Sequence, residues 1–452
     1  MPNPALYGEV SVIFAWFAIF NVVLAYGMET AFFRFFYKAD NKNKVISTSL
    51  ISIIATTVLF FILALVFQNS LASWSGIDVK YIEYAIYILA LDALVIIPFS
   101  WLRATDKSMR YAIIKIANVT INLGLNVFLL IYLSEIVSNN PESGINMIYK
   151  PDFQISYIFI SNLIASGITL ILMLELYFKN KYDFDVALWK KMMKYAWPIL
   201  IAGIAFTINE VFDRILLQHL LPENIAKAEI GKYSACYKLA VFMTLFATGF
   251  RLGIEPFFFS HSNSENPQKA YAQITNYFVI LGSTILLTVI VFADVLKVLI
   301  VRNEAYWEAM PVVPILILAS FFLGIYHNLS VWYKVTDKTR YGAFISGIGA
   351  IITLVINYFG IPHFGYVASA FATLFAYGTM MILSYYIGKK QYPIPYNLRK
   401  TGFYLSISIL FSILSFYVFE RNLIVGSILL VLFLGILYKL ENEKLKQLFL
   451  KK

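Results

Sequence analysis

Few side chains in this chain could do chemistry within apolar surroundings, and they fall into three groups. The first is a polar stripe: Lys115, Asn118, Asn122 and Asn126 are spaced 3, 4 and 4 residues apart, which puts them on one face of a helix. Such a face avoids lipid and lines either a cavity or a seam where amides serve as hydrogen-bond glue. Lys115 alone could also snorkel to a nearby surface. The second group is cationic. Arg34 and Arg251 carry a planar fork that can donate two parallel hydrogen bonds, which suits phosphate. Snorkelling or ion pairing is the competing reading, because Arg251 and Glu255 are four residues apart, as are Glu210 and Arg214. The third group is acidic. Asp92 has only Ile88, Leu89, Val95 and Ile96 at helical spacing around it, so it must pair across helices or exchange a proton or cation. It is the first candidate for a coupling-ion site; Glu29 and Glu210 are further candidates, and Asp213 reads as solvated near the outer surface.

These residues sit in a chain built for a bilayer. Of 452 residues, 60% are hydrophobic and 14% charged, against roughly 25% charged in soluble domains, and the mean hydropathy is +0.72. The net charge of +10 would suit nucleic acid, but the Lys and Arg lie in short loops between apolar runs, so membrane lipids and an anionic substrate are the expected partners. A lone Cys236 excludes an internal disulfide or cysteine metal site, and His219, His261, His327 and His363 are scattered without ligand spacing. No phosphate-cradling GxxxxGK[ST] loop is present, so no nucleotide, metal or other cofactor is expected.

A helix rises about 1.5 Å per residue across a hydrocarbon core of about 30 Å, so a span needs about 20 apolar residues. That ruler predicts 13 transmembrane helices, near 8–36, 45–68, 81–102, 110–134, 155–178, 195–218, 232–258, 271–297, 309–333, 340–359, 363–387, 400–419 and 422–439. Alternate loops carry 24 Lys and Arg on one side and 7 on the other, which puts the rich side and the C-terminus in the cytoplasm. The chain opens without a basic n-region, so no signal peptide is expected. Pro98, Pro198, Pro256, Pro311 and Pro314 fall in or near spans, as hinges or fixed kinks.

One stretch occurs twice. Thr105-Asp106-Lys107 opens the run that reaches Asn126, and Thr336-Asp337-Lys338 opens the run that reaches Asn357, at a constant offset of 231. A fixed offset over a polar turn and a helix indicates duplication. Lys115, Asn118, Asn122 and Asn126 then correspond to Ser346, Gly349, Thr353 and Asn357. The copies open spans four and ten, so the repeat is six helices and keeps its orientation. Residues 1–194 are expected to form an N-terminal lobe of five helices lacking its first, 195–390 a six-helix lobe, and 391–452 two further helices and a tail.

The runs Tyr26-Gly27-Met28-Glu29-Thr30-Ala31-Phe32-Phe33-Arg34-Phe35 and Ile230-Gly231-Lys232-Tyr233-Ser234-Ala235, with Asp213-Arg214 and Glu255-Pro256, resemble the polysaccharide-biosynthesis flippases of the Wzx type. These belong to the MOP superfamily with the lipid II flippases and MATE exporters. The resemblance implies an all-α polytopic membrane protein of a 14-helix family, here without the first helix, with two parallel-repeat lobes around a central cavity. It also implies a bacterial cytoplasmic-membrane location and ion-coupled alternating access that flips a polyprenyl-diphosphate-linked oligosaccharide, with H+ or Na+ as the drive. Arg34, Lys115, Asn118, Asn122 and Arg251 are the expected substrate contacts. Two other readings remain open: a MATE-like drug or cation antiporter, and a membrane glycosyltransferase or polymerase. The loop 135–154 is slight for the enzyme, which needs catalytic groups outside the membrane.

Overall fold

The computed structural model describes residues 3–139, 144–179, 181–260, 265–336 and 338–450. Asp337 of the second duplicated turn, His261 and part of the 135–154 loop lie outside the described residues. Among those described, all regular structure is helical: α1 (Pro4–Ala25), α2 (Met28–Lys38), α3 (Lys42–Val66), α4 (Gln68–Ser75), α5 (Val79–Leu94), α6 (Ile96–Ala104), α7 (Ser108–Val127), α8 (Leu133–Asn139), α9 (Gln154–Lys179) and α10 (Val186–Leu220). There follow α11 (Glu223–Ser260), α12 (Pro267–Val291), α13 (Ala293–Ile300), α14 (Val313–Leu329), α15 (Val331–Val335), α16 (Arg340–Phe364), α17 (Tyr366–Gln391), α18 (Leu398–Ile413) and α19 (Leu423–Leu450). Among the described residues, twelve helical stretches are long and apolar enough to cross a membrane, rather than the 13 expected. The remaining expected span, 195–218, lies within α10, whose second half carries Asn209, Glu210, Asp213 and Arg214.

The chain divides inside α10. One unit is Glu9–Thr207; the other is Ile208–Lys452 together with the start of α1 as far as Gly8. In the first unit, α1 and α2 would be one rod but for Tyr26 and Gly27, both at positive φ (32° and 72°). Gly27 is needed twice over: for its left-handed backbone, and because a Cβ there would run into the carbonyl oxygen of Ala196. The break lets Met28, Phe32 and Phe36 form a core with Leu50, Met192 and Ala196. It also places Glu29 in the first turn of α2, where the helix dipole favours an anion. A second break separates α5 from α6. Pro98 cannot donate to the carbonyl of Leu94, and the Tyr177 hydroxyl donates to that oxygen instead, at 2.5 Å. Pro98 therefore sits at a fixed kink rather than a free hinge.

In the second unit, α18 and α19 pack on α12 through Leu287, Val291, Tyr404 and Phe433. Glu441 pins them, accepting from Lys400 at 2.5 Å and from the Tyr404 hydroxyl at 2.6 Å.

The duplicated turn is duplicated in its hydrogen bonds. Thr105 Oγ1 donates to the carbonyl of Trp101 at 2.8 Å, and Thr336 Oγ1 to that of Trp332 at 2.7 Å. The Lys107 amide donates to Leu102 at 2.9 Å and the Lys338 amide to Tyr333 at 2.8 Å. At the far end, Asn126 Nδ2 donates to the Asn122 carbonyl and Asn357 Nδ2 to that of Thr353, both at 2.8 Å. Every pair keeps the offset of 231.

Candidate functional site

Within the first unit, six helices wall a cavity of about 460 Å³, α1 contributing Asn21, Val22 and Ala25. Glu29 reaches it from α2, Asp92 from α5, Arg103 from α6, Lys115 and Asn118 from α7, and Asn162, Ser166 and Thr169 from α9. The residues of α9 are spaced 4 and 3 apart, one helical face, and lie opposite the stripe of α7.

The polar groups there are paired across helices. Ser166 Oγ donates to Asp92 Oδ1 at 2.7 Å, so Asp92 has the interhelical partner its own helix lacks. Asn118 Nδ2 donates to Thr169 Oγ1 at 2.9 Å. Lys115 Nζ lies 4.2 Å from the centroid of the Phe99 ring. Arg103 makes an ion pair with Glu29 through Nη2, while its guanidinium sits 4.8 Å from the Phe33 ring and 5.5 Å from the Tyr111 ring. Its Nε is buried with no hydrogen-bond partner. Two cations thus share the cavity with two carboxylates.

The structure brings four of the expected site residues into this cavity: Glu29, Asp92, Lys115 and Asn118. Asn122 does not line it; its side-chain oxygen accepts from Asn126 Nδ2 at 2.6 Å. Arg34 is exposed, its guanidinium 4.2 Å from the centre of the Tyr195 ring. Arg251 lies in the second unit, beside His327, Asn328 and Lys334 around a space of about 10 Å³. The side chain of Glu255, its expected partner, lies outside the described residues. Glu210 is exposed, and its carbonyl accepts from Arg214 Nη1 at 3.0 Å.

Arg214 pairs with Asp213 at 3.0 Å, and the Tyr233 hydroxyl donates to the other Asp213 oxygen at 2.7 Å. Asp213 is 3% exposed, which overturns its reading as a solvated outer residue. The reason is packing: it lies on the face of α10 that meets Tyr233 of α11, and a buried carboxylate needs its cation and donor beside it.

The two copies of the stripe differ in surroundings. In the second unit Ser346, Thr353 and Asn357 are buried. Thr353 Oγ1 donates to Asn209 Oδ1 at 2.9 Å, Asn209 Nδ2 donates to the Ser346 carbonyl at 3.1 Å, and Ser369 Oγ donates to Asn357 Oδ1 at 2.7 Å. That copy is hydrogen-bond glue, with Asn209 of α10 inserted in the seam. The first copy opens at Lys115 and Asn118 onto the cavity.

Arg103, a cavity residue, is not among the candidates named from the sequence. The signal that could have found it is the repeat itself: the offset of 231 sets Arg103 against Lys334 and Trp101 against Trp332, just before the duplicated turn.

The family model described as polysaccharide biosynthesis protein matches residues 3–252, and the MatE family model matches 198–359. No curated protein matches the chain by sequence. Among solved structures, the lipid II flippase MurJ in an inward closed conformation superposes with a TM-score of 0.72 at 14% identity, covering 97% of this chain and 93% of that one. An inward-facing multidrug resistance MATE family transporter of the MOP superfamily gives 0.62 at 13% identity, over 86% of this chain and 94% of the other. A MOP superfamily transporter from Pyrococcus furiosus gives 0.57 at 13% identity, over 85% and 87%. With more than half of its length matched by the first model, the chain belongs to the polysaccharide biosynthesis protein family, and its all-helical fold is that of the flippases and transporters of the MOP superfamily.

Proposed function

We propose that the chain flips a polyprenyl-diphosphate-linked oligosaccharide across the bacterial cytoplasmic membrane by ion-coupled alternating access, with its Lys-rich loops and C-terminus in the cytoplasm. The observation that carries this reading is the cavity walled by Arg103, Lys115, Asn118 and Asn162. It offers a guanidinium and an ammonium for phosphate oxygens and amides for sugar hydroxyls, within a unit of membrane-spanning helices. Asp92 is the proposed coupling carboxylate. The lobes 1–194 and 195–390 remain the proposed repeating units, with 391–452 as two additional helices and a tail outside both.

The test is complementation. A bacterial strain lacking its own oligosaccharide flippase should regain surface polysaccharide when it expresses this chain, and lipid-linked precursor should stop accumulating. Well-expressed, membrane-inserted protein that leaves precursor levels unchanged with several donor glycans overturns the reading. The MatE match over 198–359 favours a second reading, a drug or cation antiporter. Its sign would be raised resistance to cationic dyes without any rescue of polysaccharide.

A further inference from the structure

In the cavity of the first unit a carboxylate already occupies the guanidinium that an incoming phosphate would use. Glu29 and Arg103 are 74 residues apart in sequence and come from α2 and α6, so nothing local dictates their pairing. The Phe33 and Tyr111 rings lie against the Arg103 guanidinium and limit its freedom, so that its edge is what it offers to the cavity. Of that edge, Nη2 is taken by Glu29 and the buried Nε has no partner. A carboxylate and a phosphate present similar pairs of oxygens to such a fork.

Resting on the flippase reading above, we propose that Glu29 is a built-in stand-in for the substrate's diphosphate: it holds Arg103 while the cavity is empty and yields it when the lipid diphosphate enters. Charge favours exchange over addition. With Glu29 on the Arg103 guanidinium, an incoming diphosphate would meet a like-charged carboxylate at the group it needs, and moving Glu29 aside relieves that repulsion. Exchange also suits a carrier. An unopposed cationic site would hold a diphosphate too tightly to release it, whereas a returning carboxylate helps to expel it. The side chains of Arg103 and Glu29 are 38% and 44% exposed, so their pair is weak enough to be displaced. A monovalent anion with one bond to offer would displace it poorly.

The experiment measures binding of inorganic pyrophosphate and of farnesyl diphosphate to the purified full chain in detergent, with farnesol as the uncharged control. Glu29→Gln, close in size but uncharged, should bind both diphosphates on the order of fivefold more tightly than the wild type. Arg103→Gln should lose most of the binding, and the double variant should behave as Arg103→Gln does. Equal gains for both probes point to the diphosphate group itself; a gain for farnesyl diphosphate alone places the lipid head group, not free pyrophosphate, as the ligand. Monodisperse elution and an unchanged melting temperature verify the fold of each variant, and Glu29→Asp, with its shorter reach, should fall between wild type and Glu29→Gln. Unchanged or weaker diphosphate binding in Glu29→Gln overturns the proposal, as does a double variant that binds more tightly than Arg103→Gln, or an absence of diphosphate binding in every form. Complementation separates this from the flippase reading: rescue by the wild type with unchanged affinity in Glu29→Gln sinks the exchange alone, and tightened binding without rescue sinks the flippase alone.

Discussion

Gly8 and Gly231 meet backbone to backbone, each lying against the carbonyl oxygen one helical turn before the other: Gly8 against Lys227, and Gly231 against Pro4. The contact is reciprocal. The offset of 223 is the same for both pairs, and the two glycines stand at matching places in Leu6-Tyr7-Gly8 and Ile230-Gly231. The first turns of α1 are thereby docked on α11, with the Tyr7 ring 6.0 Å from that of Tyr306 and 4.4 Å from Lys238 Nζ.

A side chain at either glycine drives into a main-chain oxygen that cannot rotate away. Gly8→Val and Gly231→Val should each destabilise the purified protein by about 1–3 kcal/mol. Because one displacement of the helices relieves both contacts, the double variant should cost clearly less than the sum. Denaturation in detergent measures this, and strict additivity would show that the two contacts are independent.

Asp92→Asn should keep the interhelical contact, since the amide oxygen can still accept from Ser166 Oγ. It should remove any dependence of transport on an ion gradient. Flipping into vesicles, with and without an ionophore, reads this directly. A variant as sensitive to the ionophore as the wild type removes Asp92 from coupling.

The two ends of the repeated stripe should respond unequally. Asn357 is fully buried, and its removal strands the Ser369 hydroxyl. Asn357→Ala should cost about 1 kcal/mol, allowing for the modest worth of such bonds in membranes. Asn126 is half-buried and bonds only to Asn122 of its own helix among the hydrogen bonds seen, so Asn126→Ala should cost about half as much or less. Unfolding in mixed micelles tests the order, and the reverse ranking would contradict the assignment of glue to one copy and cavity to the other.

Asp185 lies outside the spans, before α10. The Leu188 amide that it caps at 2.9 Å, followed by Lys44 at 3.2 Å, holds its carboxyl below the usual carboxylate value. A depressed folded value gives stabilisation that is fully present above the unfolded value of about 4 and is lost as pH falls through the folded one. The melting temperature of the wild type should therefore drop more steeply below about pH 4 than that of Asp185→Asn, which keeps a cap but carries no charge. Parallel acid limbs would refute the role. Asp185→Ala should melt lowest at neutral pH, having lost cap and ion pair together.

Much of this protein is visible in one dimension. Hydropathy alone determines the helical membrane class, because a bilayer leaves an uninterrupted apolar helix as the available solution for a span. The repeat is equally legible, since identical turns need identical local hydrogen bonds, and Thr105 and Thr336 make theirs within four residues of themselves. The helical face shared by Lys115 and Asn118 follows from spacing, and so does the need of Asp92 for a partner on another helix. What periodicity cannot say is what faces a stripe. The same pattern became a cavity wall at Asn118 and a sealed seam at Thr353, because Asn209 of α10 is inserted in one case and the side chains of six helices leave room in the other. Arg103 and Glu29, 74 residues apart, were brought together by two helix breaks, at Gly27 and before Pro98, and only the packing of α2 against α6 decided that they meet.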